Sequence, residues 1–267
     1  MPQPYLVKPG RKVKLSDIDP DDTGSIKSRA DAEALLEDDC EALYGLQERL
    51  YAENKRAVLV VLQAMDTGGK DGTVKHVLSG LNPSGVEIHS FKAPSADERD
   101  HDFLWRIYQR VPRYGNIGLF NRSHYEDVLI GRVRSLAPMK VIEKRYDSIN
   151  RFEEILDDNG ITLLKFFLHI SKDEQRRRLE ERLNEPEKHW KFELGDLRER
   201  EKWDDYQEAY EIALSRCSTK HAPWHIVPAN KKWYRNLLVA RTLRKTLEAL
   251  DPQQPKVDFD PKKIKIV

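Results

Sequence analysis

Cysteine is scarce in this chain. Cys40 and Cys217 are the only two in 267 residues, and they lack a CxxC spacing. That excludes a disulfide framework and a thiolate zinc site, and a reduced, cytoplasmic setting is expected. Net charge is nearly absent as well: 46 Lys and Arg against 45 Asp and Glu leave +1. No global basic field draws nucleic acid or an anionic membrane, so any polyanion site must be a local cluster. Long apolar runs are missing too. No stretch approaches a membrane span, and residues 1–20 hold no signal core. Neither nucleic acid nor membrane is therefore expected as a partner.

What is present suits a sizeable core, with 39% hydrophobic and 34% charged residues. Strands are expected near 58–62, 86–91, 116–121, 161–170 and 222–229. Between them lie helical patterns: 28–54, one after residue 73, one from about 96 to 111, one from Pro138, and 172–184, with 232–250 at the end. This alternation predicts a three-layer α/β/α sandwich around a parallel sheet. A single domain over 1–267 is expected, with an arm and helix (1–54), a core (55–170), a lid (171–196) and C-terminal helices with a strand (197–267). Residues 1–26 read as an irregular arm packed on the surface. In the helix over 28–54, the stripe Leu36, Cys40, Leu43, Leu46 and Leu50 either docks on the core or meets a second subunit.

Three stretches carry chemistry. The first is Asp66-Thr67-Gly68-Gly69-Lys70-Asp71-Gly72-Thr73, between a β-branched run and a helix. Strand, Gly-rich turn and helix is the context of a phosphate-binding loop (Walker A), whose amides and helix N-terminus converge on an anion. The pattern is imperfect: Ala64 replaces the first Gly, Asp71 stands where Ser or Thr belongs, and Thr73 comes two residues late. A Gly-rich turn with a chance lysine is the bland alternative. Asp66 argues for chemistry, because a carboxylate in a phosphate cradle repels the ligand unless it holds a metal or a proton.

The second stretch runs from Leu119 to Asp127, at and just past a strand's carboxyl end, where open α/β sheets place ligands. Arg122 either forks onto a phosphate or pairs with Glu126 or Asp127. His124 is either a phosphate-carrying nucleophile or a packing residue. The third stretch, 171–194, carries Arg176, Arg177, Arg178, Arg182 and Lys191 among many carboxylates. It reads as a solvated helix laced by ion pairs, or as a cationic lid over a transferring group. Three successive arginines cannot share one face, so one of them turns inward.

These motifs together resemble the second family of polyphosphate kinases, most of all its class III members. The matching residues are Met65-Asp66, Gly68 to Thr73, Asn82-Pro-x-Gly85, Ser90-Phe-Lys92, His101 to Arg106, Asn121 to Asp127, the lid around Arg176 to Lys191, and Trp203 to Tyr206. The resemblance implies a phosphate-loop kinase fold related to thymidylate kinases, with a helical lid. It also implies reversible, magnesium-dependent transfer between inorganic polyphosphate and adenine or guanine nucleotides, with manganese as a substitute metal. Asn121 and Glu126, where other classes carry Asp and Asn, favour class III, for which both AMP and ADP are expected acceptors. Dimers, or dimers paired into tetramers, are implied.

Phosphoryl transfer needs positioning and neutralised charge more than covalent help. Lys70 and the amides of residues 67–73 would hold the donor, and Arg176, Arg177, Arg178, Arg182 and Lys191 would cover it. Arg122 would hold the acceptor phosphate, Asn121 stands as a weaker ligand where an acid usually orients magnesium, and Asp66 would serve the metal or the acceptor oxygen. The nucleotide would lie among Asn82, Phe91, Lys92, Trp105, Arg106 and Glu126, although Trp105 also suits core packing. In-line transfer without a phosphoenzyme is expected. Rival readings are an ATP-dependent nucleotide or nucleoside kinase, a non-catalytic polyphosphate or nucleic-acid binder, and a histidine-phosphorylated transferase.

Overall fold

The computed structural model describes residues 3–264. Its elements in chain order are β1 (Tyr5–Leu6), α1 (Arg29–Glu53), β2 (Ala57–Ala64), α2 (Lys70–Leu78), β3 (Val86–Ser90), α3 (Ala96–Arg99), α4 (Trp105–Tyr108) and β4 (Ile117–Asn121). There follow α5 (Ile130–Val133), α6 (Met139–Asp158), β5 (Ile161–His169), α7 (Lys172–Asn184), α8 (Leu194–Glu201), α9 (Trp203–Arg216), β6 (Trp224–Pro228) and α10 (Lys232–Leu250).

The apolar run Ala57–Ala64 is buried at every residue, as helices on both faces of a sheet require. It is a central strand in the order β1-β6-β5-β2-β4-β3. From β2 the chain crosses to β3 and back to β4 on one side, then passes to β5 and β6 on the other. The order therefore reverses beside β2, and the crevice at the strands' carboxyl ends is the place for a ligand. The phosphate-loop sequence and the Asn121–Asp127 stretch both leave the sheet there.

The stripe of α1 docks within the chain. Leu43, Leu46 and Leu50 are buried in the main core, and Asp39 pairs with Arg241 and Arg244 of α10. Ser28 caps α1 by accepting from the amide of Asp31.

Two local expectations are corrected. The arm is not wholly irregular, because Tyr5 and Leu6 pair with Ile226 and His225. They add an antiparallel edge to an otherwise parallel sheet, and Val7 and Leu15 are buried beside it. The helix expected from 96 to 111 is broken into α3 and α4. Ser95 and Glu98 form a capping box that starts α3, and Asp102 then takes the amides of Leu104 and Trp105. A second helix start is thereby built into the same apolar pattern.

Candidate active site

The loop after β2 turns through left-handed backbone at Thr67 (φ 61°) and Gly69 (φ 99°). Glycine adopts this readily, but a β-branched residue there is strained, and such strain collects at functional sites. Gly68 is obligatory for space, since a Cβ would lie 2.4 Å from that of Ala64. Thr67 Oγ1 is buried and has no hydrogen-bond partner, so the loop keeps a free polar group. Lys70 opens α2 and curls back, its Nζ donating to the carbonyl of Ala64 at 3.0 Å. Burial pushes its pKa down, and Arg122 adds to that, against the opposing pull of Asp66, Glu126 and Asp71.

Pairing of β4 with β2 brings the second stretch alongside. The Arg122 amide donates to the carbonyl of Leu62 at 3.1 Å, and φ at Arg122 is 63°. Its guanidinium meets Asp66 at 3.2 Å. Arg122 thus pairs across the two loops, while Asp127 takes Arg145. Asn121 donates to Asp71 at 2.6 Å. Burial pushes the Glu126 carboxyl up, against the pull of Arg122 and Lys70. Asp66, Lys70, Arg122 and Glu126 therefore act on one another electrostatically where the two loops meet.

A buried polar network anchors this second loop. Gln63 donates to Ser123 Oγ at 3.1 Å. Lys165 Nζ donates to Glu153 at 2.5 Å, to Tyr125 Oη at 2.9 Å and to the carbonyl of Cys217 at 2.6 Å. Tyr125 donates to Glu153, and the ring of His124 also meets Glu153. His124 is fully buried and burial pushes its pKa down, so it has no route to a phosphate. The nucleophile reading of His124 is corrected to a packing role. Lys165→Met should cost ~3–5 kcal/mol, because it leaves Glu153 charged and buried without its cation. Urea unfolding measures this, and a loss under ~1 kcal/mol would show that the pair is dispensable.

Residues 26–255 match the family described as Polyphosphate kinase 2. The chain belongs to the polyphosphate kinase 2 family. It is 54% identical over 266 residues to the AMP/ADP-polyphosphate phosphotransferase of Meiothermus ruber, covering 98% of each chain. It is 45% identical to the ADP-polyphosphate phosphotransferase of Rhodopseudomonas palustris, over 94% of this chain and 91% of that one. The crystal structure of Polyphosphate Kinase 2 from Arthrobacter aurescens TC1 superposes with a TM-score of 0.91 at 46% identity, over 98% of this chain and 97% of that one. The fold is the phosphate-loop kinase fold.

Several residues expected to bind substrate in this polyphosphate kinase 2 chain have their polar groups committed elsewhere. Arg178 is the inward-turned arginine, 5% exposed. Its fork is spent on Glu174 and on the carbonyls of Thr67, Ala229 and Asn230, so it braces the loop from below. Arg176 pairs with Glu180, and Arg177 with Glu174 and Glu181, on the outer face of α7. Arg182 holds Asp196 and the carbonyl of Lys191, and Lys191 lies exposed against Trp190. Thr73 donates back to the carbonyl of Gly69, and the Asp71 side chain is taken by Asn121.

On the nucleotide side, Asn82 caps a turn against α1, bonded to Glu48 and Ser84. Phe91 packs on Phe120, and Arg106 is buried, donating to the carbonyl of Lys92. Lys92 itself is exposed. Trp105 stacks with His101 at 4.0 Å between centroids and stays half-buried at the rim. Motif reading missed Gln175, which donates to the carbonyl of Asp66, and Arg235, which lies against Gly69 and Gly72. Neither had a signal in the sequence, since each sits in a helix rich in similar residues.

Proposed function

We propose that this chain transfers a phosphoryl group in line from inorganic polyphosphate to AMP and ADP, and reversibly. The observation that carries this reading is the Asp66–Arg122 contact at 3.2 Å. It joins the phosphate-binding loop to the loop that carries Arg122, which supports holding a donor phosphate and an acceptor phosphate side by side. Lys70 and the loop amides hold the donor end, and Arg122 takes the acceptor phosphate. The half-buried face of Trp105 is the surface offered to the nucleobase.

Among the described residues, no group of three or more His, Cys, Asp or Glu could cage a metal. Magnesium needs no such cage, because it binds through one or two carboxylates and completes its shell with phosphates and water. Asp66 fits that duty, and the Glu126 carboxyl feels its charge. Held by Asp66, magnesium would supply neutralising charge for the transferring phosphates.

The free thiols of Cys40 and Cys217 suit a cytoplasmic enzyme. Among the described residues, no helix is long and apolar enough to cross a membrane. The exposed Tyr44 and Tyr51 of α1 offer a contact surface for a homodimer or a homotetramer.

The test is nucleotide product analysis with AMP or ADP, magnesium and polyphosphate, run in parallel with ATP as donor. ADP and ATP formed from polyphosphate support the reading, and turnover with ATP alone overturns it. Glu126→Asn should then lower AMP turnover more than ADP turnover, by at least ~10-fold in ratio, for ~1.4 kcal/mol of differential binding. The carboxylate near the acceptor repels the extra charge of ADP, and the amide removes that repulsion together with a metal anchor. Steady-state rates at saturating polyphosphate decide it, and equal losses would assign Glu126 to the shared transfer step.

A further inference from the structure

Behind the phosphate loop, α10 carries a guanidinium that the mechanism above leaves unused. Arg235 is 2% exposed. Its Nε and Nη2 both donate to Asn236 Oδ1, at 3.1 and 2.8 Å. No carboxylate pairs with it among the described residues. The charged group that acts on it is Arg178, of like sign, and burial together with that neighbour pushes its pKa down to about 9.

The loop is shaped around this side chain. A Cβ on Gly69 would lie 1.8 Å from Nη1, and one on Gly72 would lie 3.1 Å from Nη2. Two glycines of the motif therefore open a gap that the guanidinium fills, against the first turn of α2. Arg178 makes an informative contrast. It is equally buried at the same loop, but Glu174 balances its charge and three carbonyls take its donors.

A buried guanidinium without an anion opposes folding, since its hydration is lost and the neutral amide oxygen of Asn236 replaces only part of it. Packing alone is served better by an apolar side chain of that length. A charge kept under such conditions, beside convergent amides and a helix N-terminus, matches a site whose counter-ion arrives as ligand. We propose that Arg235 is a donor-binding residue. Its buried positive charge, reaching the loop through the gap at Gly69 and Gly72, holds the anionic phosphate chain against α2. This rests on the polyphosphate reading above and adds a residue to its donor side.

Arg235→Met removes the charge at nearly constant length, and Arg235→Lys keeps a charge without the planar fork. Three quantities are measured for each: affinity for polyphosphate of defined length without acceptor, by calorimetry; KM for polyphosphate and for AMP; and Tm. The methionine variant should bind polyphosphate at least ~10-fold more weakly, with the KM for AMP changed by less than about 2-fold and Tm equal to or above that of the parent. The lysine variant should recover part of the affinity. Unchanged polyphosphate affinity overturns the proposal. So does a parallel loss of both KM values with a lowered Tm, or failure of both variants to fold, since either assigns Arg235 to packing. The parent is assayed first. If it does not use polyphosphate, the functional reading fails; if it does and Arg235→Met binds polyphosphate normally, only the role of Arg235 fails.

Discussion

Lys70→Ala should lower polyphosphate-dependent turnover by at least ~100-fold, equivalent to ~3 kcal/mol of transition-state stabilisation, while the fold stays intact. Lys70 is the first residue of α2, and its ammonium hangs on one carbonyl, that of Ala64 at 3.0 Å. Two of its three donors are therefore available to a phosphate. The fold does not lean on this side chain, so circular dichroism and Tm should match the parent. Burial and Arg122 hold its pKa below the ordinary lysine range. The charge is then lost at a lower pH than in free lysine, and donor affinity should decline first on the alkaline side. Near-normal turnover in the alanine variant would remove the phosphate-loop assignment.

Asp66→Asn should reduce turnover by ~100- to 1000-fold and yet leave polyphosphate binding intact or tighter. The carboxylate stands in a cradle built for anions, so its charge opposes the donor in the ground state. Its contribution belongs to the metal or the acceptor oxygen during transfer. The substitution is isosteric, and the carbonyl of Asp66 that accepts from Gln175 is untouched. The ion pair with Arg122 is partly exposed on both sides, so its loss should cost no more than ~1 kcal/mol of stability. Calorimetric titration with polyphosphate beside a turnover assay separates the two effects. Loss of binding together with turnover would make Asp66 a structural residue.

Local chemistry made much of this molecule legible in advance. The helices Lys172–Asn184 and Lys232–Leu250 end where their patterns end, and the buried runs became strands of a mainly parallel sheet. The motif order along the chain identified the family, because a phosphate loop and the stretches after it are each local in sequence. A two-residue edge strand such as Tyr5–Leu6 carries too little pattern to be seen, and the break between α3 and α4 rests on side-chain caps that compete with apolar periodicity.

What only the tertiary structure decided is the partner of each charge. Asp66 and Arg122 are 56 residues apart, and Thr67 and Arg178 are 111 apart. Three arginines in a row reveal that one turns inward, but not that its donors are consumed by loop carbonyls. The same holds for Arg235, one arginine among several on α10 until the fold sets it against Gly69 and Gly72. Periodicity assigns a side chain to a face of its own element. Which opposite charge or empty space waits beyond that face is set by how distant elements pack, and a guanidinium's role follows from whether that packing supplies its anion or leaves the place for a ligand.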